Sequence, residues 1–98
     1  MTVTVRLRTG DQEIASLAIP PGCDAITVGR SHSCTLRSPS GDHSVSGIHA
    51  RIFWNKNVLM IEDAGSRNGT LLRGRALKKT HKVSNGEIFA LGKCKLSF

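Results

Sequence analysis

Aromatic side chains are scarce in this 98-residue chain: it has no tyrosine, one tryptophan and three phenylalanines. Stacking platforms for single-stranded nucleic acid are therefore in short supply. Long apolar runs are missing too. None approaches the roughly 18 residues that a membrane-spanning helix needs. The opening "MTVTVRLRTG" alternates, unlike the apolar region of a signal peptide. No membrane insertion is expected, and the expected location is the cytoplasm, or the nucleus in a eukaryote. Cysteine is limited to Cys23, Cys34 and Cys94, an odd number without a C-x-x-C pair. That argues against a disulfide framework and for small, partly buried thiols.

Acidic residues are few, 7 against 14 Lys+Arg, for a net charge of +7. From Ala64 to Gly86 there is no acid at all, while Arg67, Arg73, Arg75, Lys78, Lys79 and Lys82 fall in that stretch. Such a segment attracts phosphate on nucleic acid, on a phosphoprotein or on an anionic membrane. A plain solvated face has the same composition. Apolar residues at 39% and charged residues at 21% are ordinary for a globular protein. A domain of this size buries roughly two-thirds of its unfolded surface. That is one core, with little room for a deep active site. The final "KCKLSF" reads as the middle of a strand. The expectation is a single domain over residues 1–98, drawn from a larger multidomain protein.

What is present is strand periodicity. Val3, Val5 and Leu7 alternate with Thr4, Arg6 and Arg8. "EIASLAI" and "AITVG" follow, separated by "PPGCD". A short strand is expected around Cys34 to Leu36. "HARIFW" and "VLMIED" flank "NKN" as a hairpin, and "TLLR" and "RAL" flank Gly74. "VSNGE" turns the chain into "IFAL" and "CKLSF". Ten or eleven short strands at this spacing predict an all-β sandwich or barrel. Three polar, glycine-rich loops stand out: "VGRSHS", "GDHSVSGIH" and "AGSRNGT". Loops at one end of a sandwich carry its variable chemistry, and these three are expected to meet.

Their residues suit a phosphate. A phosphate wants a fixed cation, hydroxyl donors and backbone N–H groups. Arg30 follows Gly29 at the end of a strand and offers a planar two-pronged donor. Ser46 offers a hydroxyl, and Gly47 lets backbone approach. Arg67 adds a cation. Asn68 is equally readable as a holder of peptide backbone and as half of an Asn-Gly turn. Ser46 and His49 raise the alternative of a nucleophile and its base. That alternative lacks an orienting third group, an oxyanion hole and a G-x-S-x-G elbow. His49 is better read as a brace between loops. His32, Cys34, His43 and His49 lack zinc-ligand spacing, so no metal is expected, and no cofactor.

Gly29-Arg30, then Ser46 to His49, then Ser66 to Thr70 with Gly74 resemble, in order and spacing, the pattern of the forkhead-associated (FHA) domain. The resemblance runs from about residue 3 to the end, since the strand count agrees. Each motif alone is weak; three in order on an all-β background are specific. It implies an eleven-stranded β-sandwich of two antiparallel or mixed sheets. It implies binding of phosphothreonine peptides through loops at one end, and no enzyme. Arg30 would hold the phosphate, Ser46 would donate to it, and Asn68 would hold the peptide backbone. Gly29, His49, Gly69 and Thr70 would be structural.

Two positions depart from the family pattern. Gly47 stands where Arg, Lys or Asn is usual, which leaves one phosphate contact to a backbone N–H. Arg67 could supply that charge. Arg73 stands where Asn often precedes the turn glycine, and would instead read an acidic residue beyond the phosphothreonine. The expected partner is a phosphothreonine-containing protein, on another chain or on the same parent chain, and not nucleic acid. The alternative is an FHA-fold interaction domain that binds without phosphate.

Overall fold

The computed structural model describes residues 1–98 and contains eleven strands and no helix. No segment is therefore a helix long and apolar enough to cross a membrane. Alternation shapes the first strand. In β1 (Val3–Thr9), Val5 and Leu7 are buried while Thr4, Arg6 and Arg8 are exposed. That is a strand with one face on a core. β2 (Gln12–Ile19) returns antiparallel to it across a tight turn.

The chain then crosses to a second sheet. β3 (Ile26–Gly29) pairs antiparallel with β5 (Ala50–Asn55) and parallel with the two-residue β4 (Leu36–Arg37). The sequence placed β4 slightly earlier, around Cys34 to Leu36. β6 (Val58–Asp63) completes the expected hairpin with β5. β7 (Thr70–Leu72) and β8 (Arg75–Ala76) form a two-residue hairpin in the first sheet. β9 (His81–Lys82) pairs with β6 through Met60↔Lys82 and Ile61↔His81. Two residues hold no readable period, and the sequence reading missed this strand. β10 (Ile88–Leu91) and β11 (Cys94–Ser97) close the first sheet.

The result is a mixed sandwich. One sheet runs β2-β1-β11-β10-β7-β8 and the other β4-β3-β5-β6-β9. Val5, Leu7, Phe89, Leu91 and Leu96 from the first meet Ile26, Val28, Ile52 and Ile61 from the second. Phe89 meets Phe98 edge-on with centroids 5.7 Å apart, and His81 at 5.8 Å.

The register also positions the loops. Val28 pairs with Ala50, Ala50 with Asp63, and Thr70 with Leu91. The exits of β3 and β6 and the entries of β5 and β7 therefore share one end of the sandwich.

Candidate functional site

Gly29 is where that end begins. A Cβ there would collide with the Gly47 carbonyl and lie 2.9 Å from the Ser46 oxygen. Only glycine lets the 46–47 backbone lie against β3. In that contact the Arg30 N–H donates to the Ser46 carbonyl (3.1 Å) and the Ser31 N–H to that of Gly47 (2.9 Å). The Arg30 side chain is half-buried, and its Nε–H donates to the Val45 carbonyl at 3.0 Å. Its two terminal nitrogens have no protein acceptor, and no carboxylate pairs with it. A guanidinium held by its inner N–H keeps its outer edge for a bidentate anion.

His49 is completely buried and ties the loops together. Its Nδ1 accepts the Ser46 N–H at 3.0 Å, so the ring proton sits on Nε2 and is donated to the Gly69 carbonyl at 2.8 Å. Its backbone N–H reaches the Val28 carbonyl (2.8 Å), and its own carbonyl accepts the Ala64 N–H (2.9 Å). The Nδ1 lone pair is thus spent on a backbone N–H and not on the Ser46 hydroxyl. The arrangement is a brace; it is not an activated serine.

Asp63, at the end of β6, was not singled out in the sequence. Its carboxylate accepts the hydroxyl protons of Ser66 and Thr70, the latter at 2.8 Å. It also accepts the N–H groups of Gly65 (3.0 Å) and Ser66 (2.9 Å). Burial alone would push this carboxyl up. The four hydrogen bonds outweigh it and hold Asp63 below the ordinary carboxylate range. The available signal was D-x-x-S, the spacing of a side chain that organises a turn.

With the 64–69 loop so fixed, the Arg67 N–H donates to Ser46 Oγ at 2.9 Å. The Ser46 hydroxyl proton therefore remains available to an anion. Asn68 Nδ2 donates to the Ser44 carbonyl at 3.0 Å, which leaves its side-chain oxygen unpartnered. Asn68 thus does more than make a turn; Gly69, at φ +80°, supplies the left-handed conformation. The Gly47 N–H has no protein partner, and a Cβ at Gly47 would meet open space. The three loops converge as expected, with Arg30, Ser46, Gly47, Arg67 and Asn68 in one cluster.

A sequence model of the FHA domain matches residues 26–92, well over half of the chain. The chain belongs to the FHA family. Comparison with curated proteins finds no match. Among solved structures, it is similar to the FHA domain of the CT664 protein from Chlamydia trachomatis. That likeness has a TM-score of 0.84 at 23% identity, covering 99% of this chain and 95% of the other. It is also similar to an FHA domain solved in a structural and functional analysis of phosphothreonine-dependent FHA domain interactions. There the TM-score is 0.79 at 25% identity, covering 100% and 97%. A third likeness is to the FhaA FHA domain complexed with the intracellular domain of Rv3910, with TM-score 0.74, 24% identity and 96% of both chains.

Within this FHA domain, Arg73 lies apart from the cluster. Thr70 begins β7 at the loop end, and Arg73 follows Leu72 at the other end of the strand. There Leu72 pairs with Arg75, and Arg73 (φ +51°) and Gly74 (φ +79°) are the two central residues of the hairpin. That is the conformation of a type I′ turn, for which Asn-Gly is the favoured pair. The Asn that the family often carries here fits as a turn former. Arg73 is exposed, 3.9 Å from Glu87. Its proposed reading of an acidic peptide residue has no geometric support beside Arg30 and Ser46.

The sequence also concealed a clamp behind the 38–49 segment. Asp42 Oδ1 accepts both the N–H (3.0 Å) and the hydroxyl of Ser44. Ser44 Oγ accepts the Lys93 N–H at 2.9 Å, from the β10–β11 turn. Gly92 sits so close to Ser44 that a Cβ would clash with it. The Ser44 hydroxyl is the main cause holding Asp42 below the usual carboxylate range, against partial burial, with the Ser44 N–H, the Cys94 thiol and the Lys93 charge assisting.

Proposed function

We propose that this FHA domain binds a phosphothreonine-containing segment of a protein, on a separate partner or on its own parent chain, in the cytoplasm or nucleus. The observation that carries the reading is the open outer edge of Arg30 beside a Ser46 hydroxyl whose proton is uncommitted. Arg30 takes two phosphate oxygens and Ser46 donates to a third. The Gly47 N–H and the Arg67 side chain complete the shell. The unpartnered oxygen of Asn68 accepts a peptide N–H next to the phosphothreonine. The similar domain from the phosphothreonine-dependence study supports the same reading.

Phosphothreonine brings about −1.5 to −2 charges at neutral pH. Three or four charge-assisted hydrogen bonds, each worth roughly 1.5–3 kcal/mol, are offset by the cost of ordering the peptide. The expected affinity is micromolar. The test is a titration with an oriented phosphothreonine library, with phosphoserine and unphosphorylated libraries alongside. Arg30→Ala removes one partner of a desolvated ion pair, at about 2–5 kcal/mol, and should abolish measurable binding. Binding indifferent to phosphate and to Arg30 would instead mark a phosphate-independent interaction domain. Affinity that collapses steeply with salt, without need of phosphothreonine, would mark a nucleic-acid binder.

A further inference from the structure

On its other side Arg30 borders a cleft that the phosphothreonine reading does not use. The cleft has a volume of about 500 Å³ and lies between the edge strands β2 and β4, with Arg30, His32, Thr35, Arg37, Ser38 and Ser40 around it. No acid lines it. Arg37 forms no ion pair; its Nη1 lies 2.8 Å from His32 Nδ1, which holds one corner of the guanidinium and leaves the other donors open. Ser38 is only 6% exposed, and its Oγ has no hydrogen-bond partner. A buried hydroxyl in that state is costly and rare. Two unpaired guanidinium groups and an unsatisfied buried hydroxyl facing one cleft all call for the same occupant, an anion.

We propose that this cleft is a second anion subsite, which takes an acidic or phosphorylated side chain of the same peptide. The inference rests on the phosphothreonine reading of Arg30 and extends it to ligand choice. The β3–β4 register supplies the distance. Arg37 pairs with Gly29, the residue before Arg30, so the two arginines issue from neighbouring strands about 4.8 Å apart. An extended peptide advances about 3.3 Å per residue. The second anion therefore falls two or three residues from the phosphothreonine. Arg37 supplies the charge, and Ser38 with Thr35 or Ser40 supplies hydroxyl donors.

The experiment is a fluorescence-anisotropy titration of labelled phosphothreonine peptides with neutral flanks. In two parallel series, an aspartate or a second phosphothreonine is moved through the three positions on either side. The expected result is that one or two positions tighten binding by about tenfold, the scale of one charge-assisted hydrogen bond. Arg37→Ala should erase that gain and leave the neutral-flanked peptide within about twofold of the parent. Ser38→Ala should reduce the gain by several-fold. Arg75→Ala, an exposed arginine on the far edge strand, should leave it intact, which separates a subsite from the general pull of a +7 chain. A gain in both series identifies any anionic side chain as the occupant; a gain with phosphate alone identifies a doubly phosphorylated ligand. A gain that survives Arg37→Ala, or no gain at any position, overturns the subsite while the phosphothreonine site stands. If the parent domain binds no phosphopeptide at all, both readings fall together.

Discussion

At the scale of single residues, the site depends on which polar atoms are already committed. Arg30 spends its inner N–H on Val45 and keeps its outer edge. Ser46 accepts from Arg67 and keeps its proton. Gly47 commits nothing from its N–H, and it has open space where a side chain would be. Gly47→Arg should therefore fit without strain and add a cation at the phosphate. The expected outcome is a gain in phosphothreonine-peptide affinity of about three- to tenfold, the worth of one partly exposed ion pair. Gly47→Ala in the same titration should change nothing. Arg30, Ser46 and His49 were legible in the sequence because each sits in a short motif of fixed spacing. Asp63 and Asp42 were not. Their work is to satisfy hydroxyls and N–H groups in their own turns, and a lone carboxylate before a polar loop looks like any solvated acid.

At the scale of elements, the strands with a clean period of two were readable and the very short ones were not. β1 announces itself through Val5 and Leu7. β9 is two residues held only by its pairing to β6, so nothing local marks it. The β7–β8 hairpin illustrates a position where local chemistry and conformation conflict. Arg73 occupies a left-handed conformation that costs a side chain with a Cβ about 1 kcal/mol. Asn tolerates it better. Arg73→Asn should raise stability by about 0.5–1 kcal/mol, a few degrees in melting temperature for a domain of this size. The lost Glu87 contact at 3.9 Å is exposed and worth little. Phosphopeptide affinity should not move, because this turn lies at the far end of β7; a loss of binding would return Arg73 to the ligand site.

At the scale of the molecule, two carboxylates on which the loops are built, Asp42 and Asp63, both ionise more readily folded than unfolded. Their contribution is fully present above the unfolded carboxylate pKa of about 3.9 and fades as pH falls through their lower folded values. Melting temperature should hold steady at neutral pH and drop below about pH 4. Asp63→Asn should flatten part of that acid limb, as read by thermal denaturation across pH. The clamp of Ser44 by Gly92 and Lys93 has a further consequence, in time. During synthesis the ribosome releases Arg30, Ser46 and Asn68 well before Lys93. The support for their loop, and the β11 partner of β1, come with the last hairpin. A half-made chain holds every ligand-contacting residue and still lacks the buttress that sets them, so recognition begins only when translation of the domain is complete.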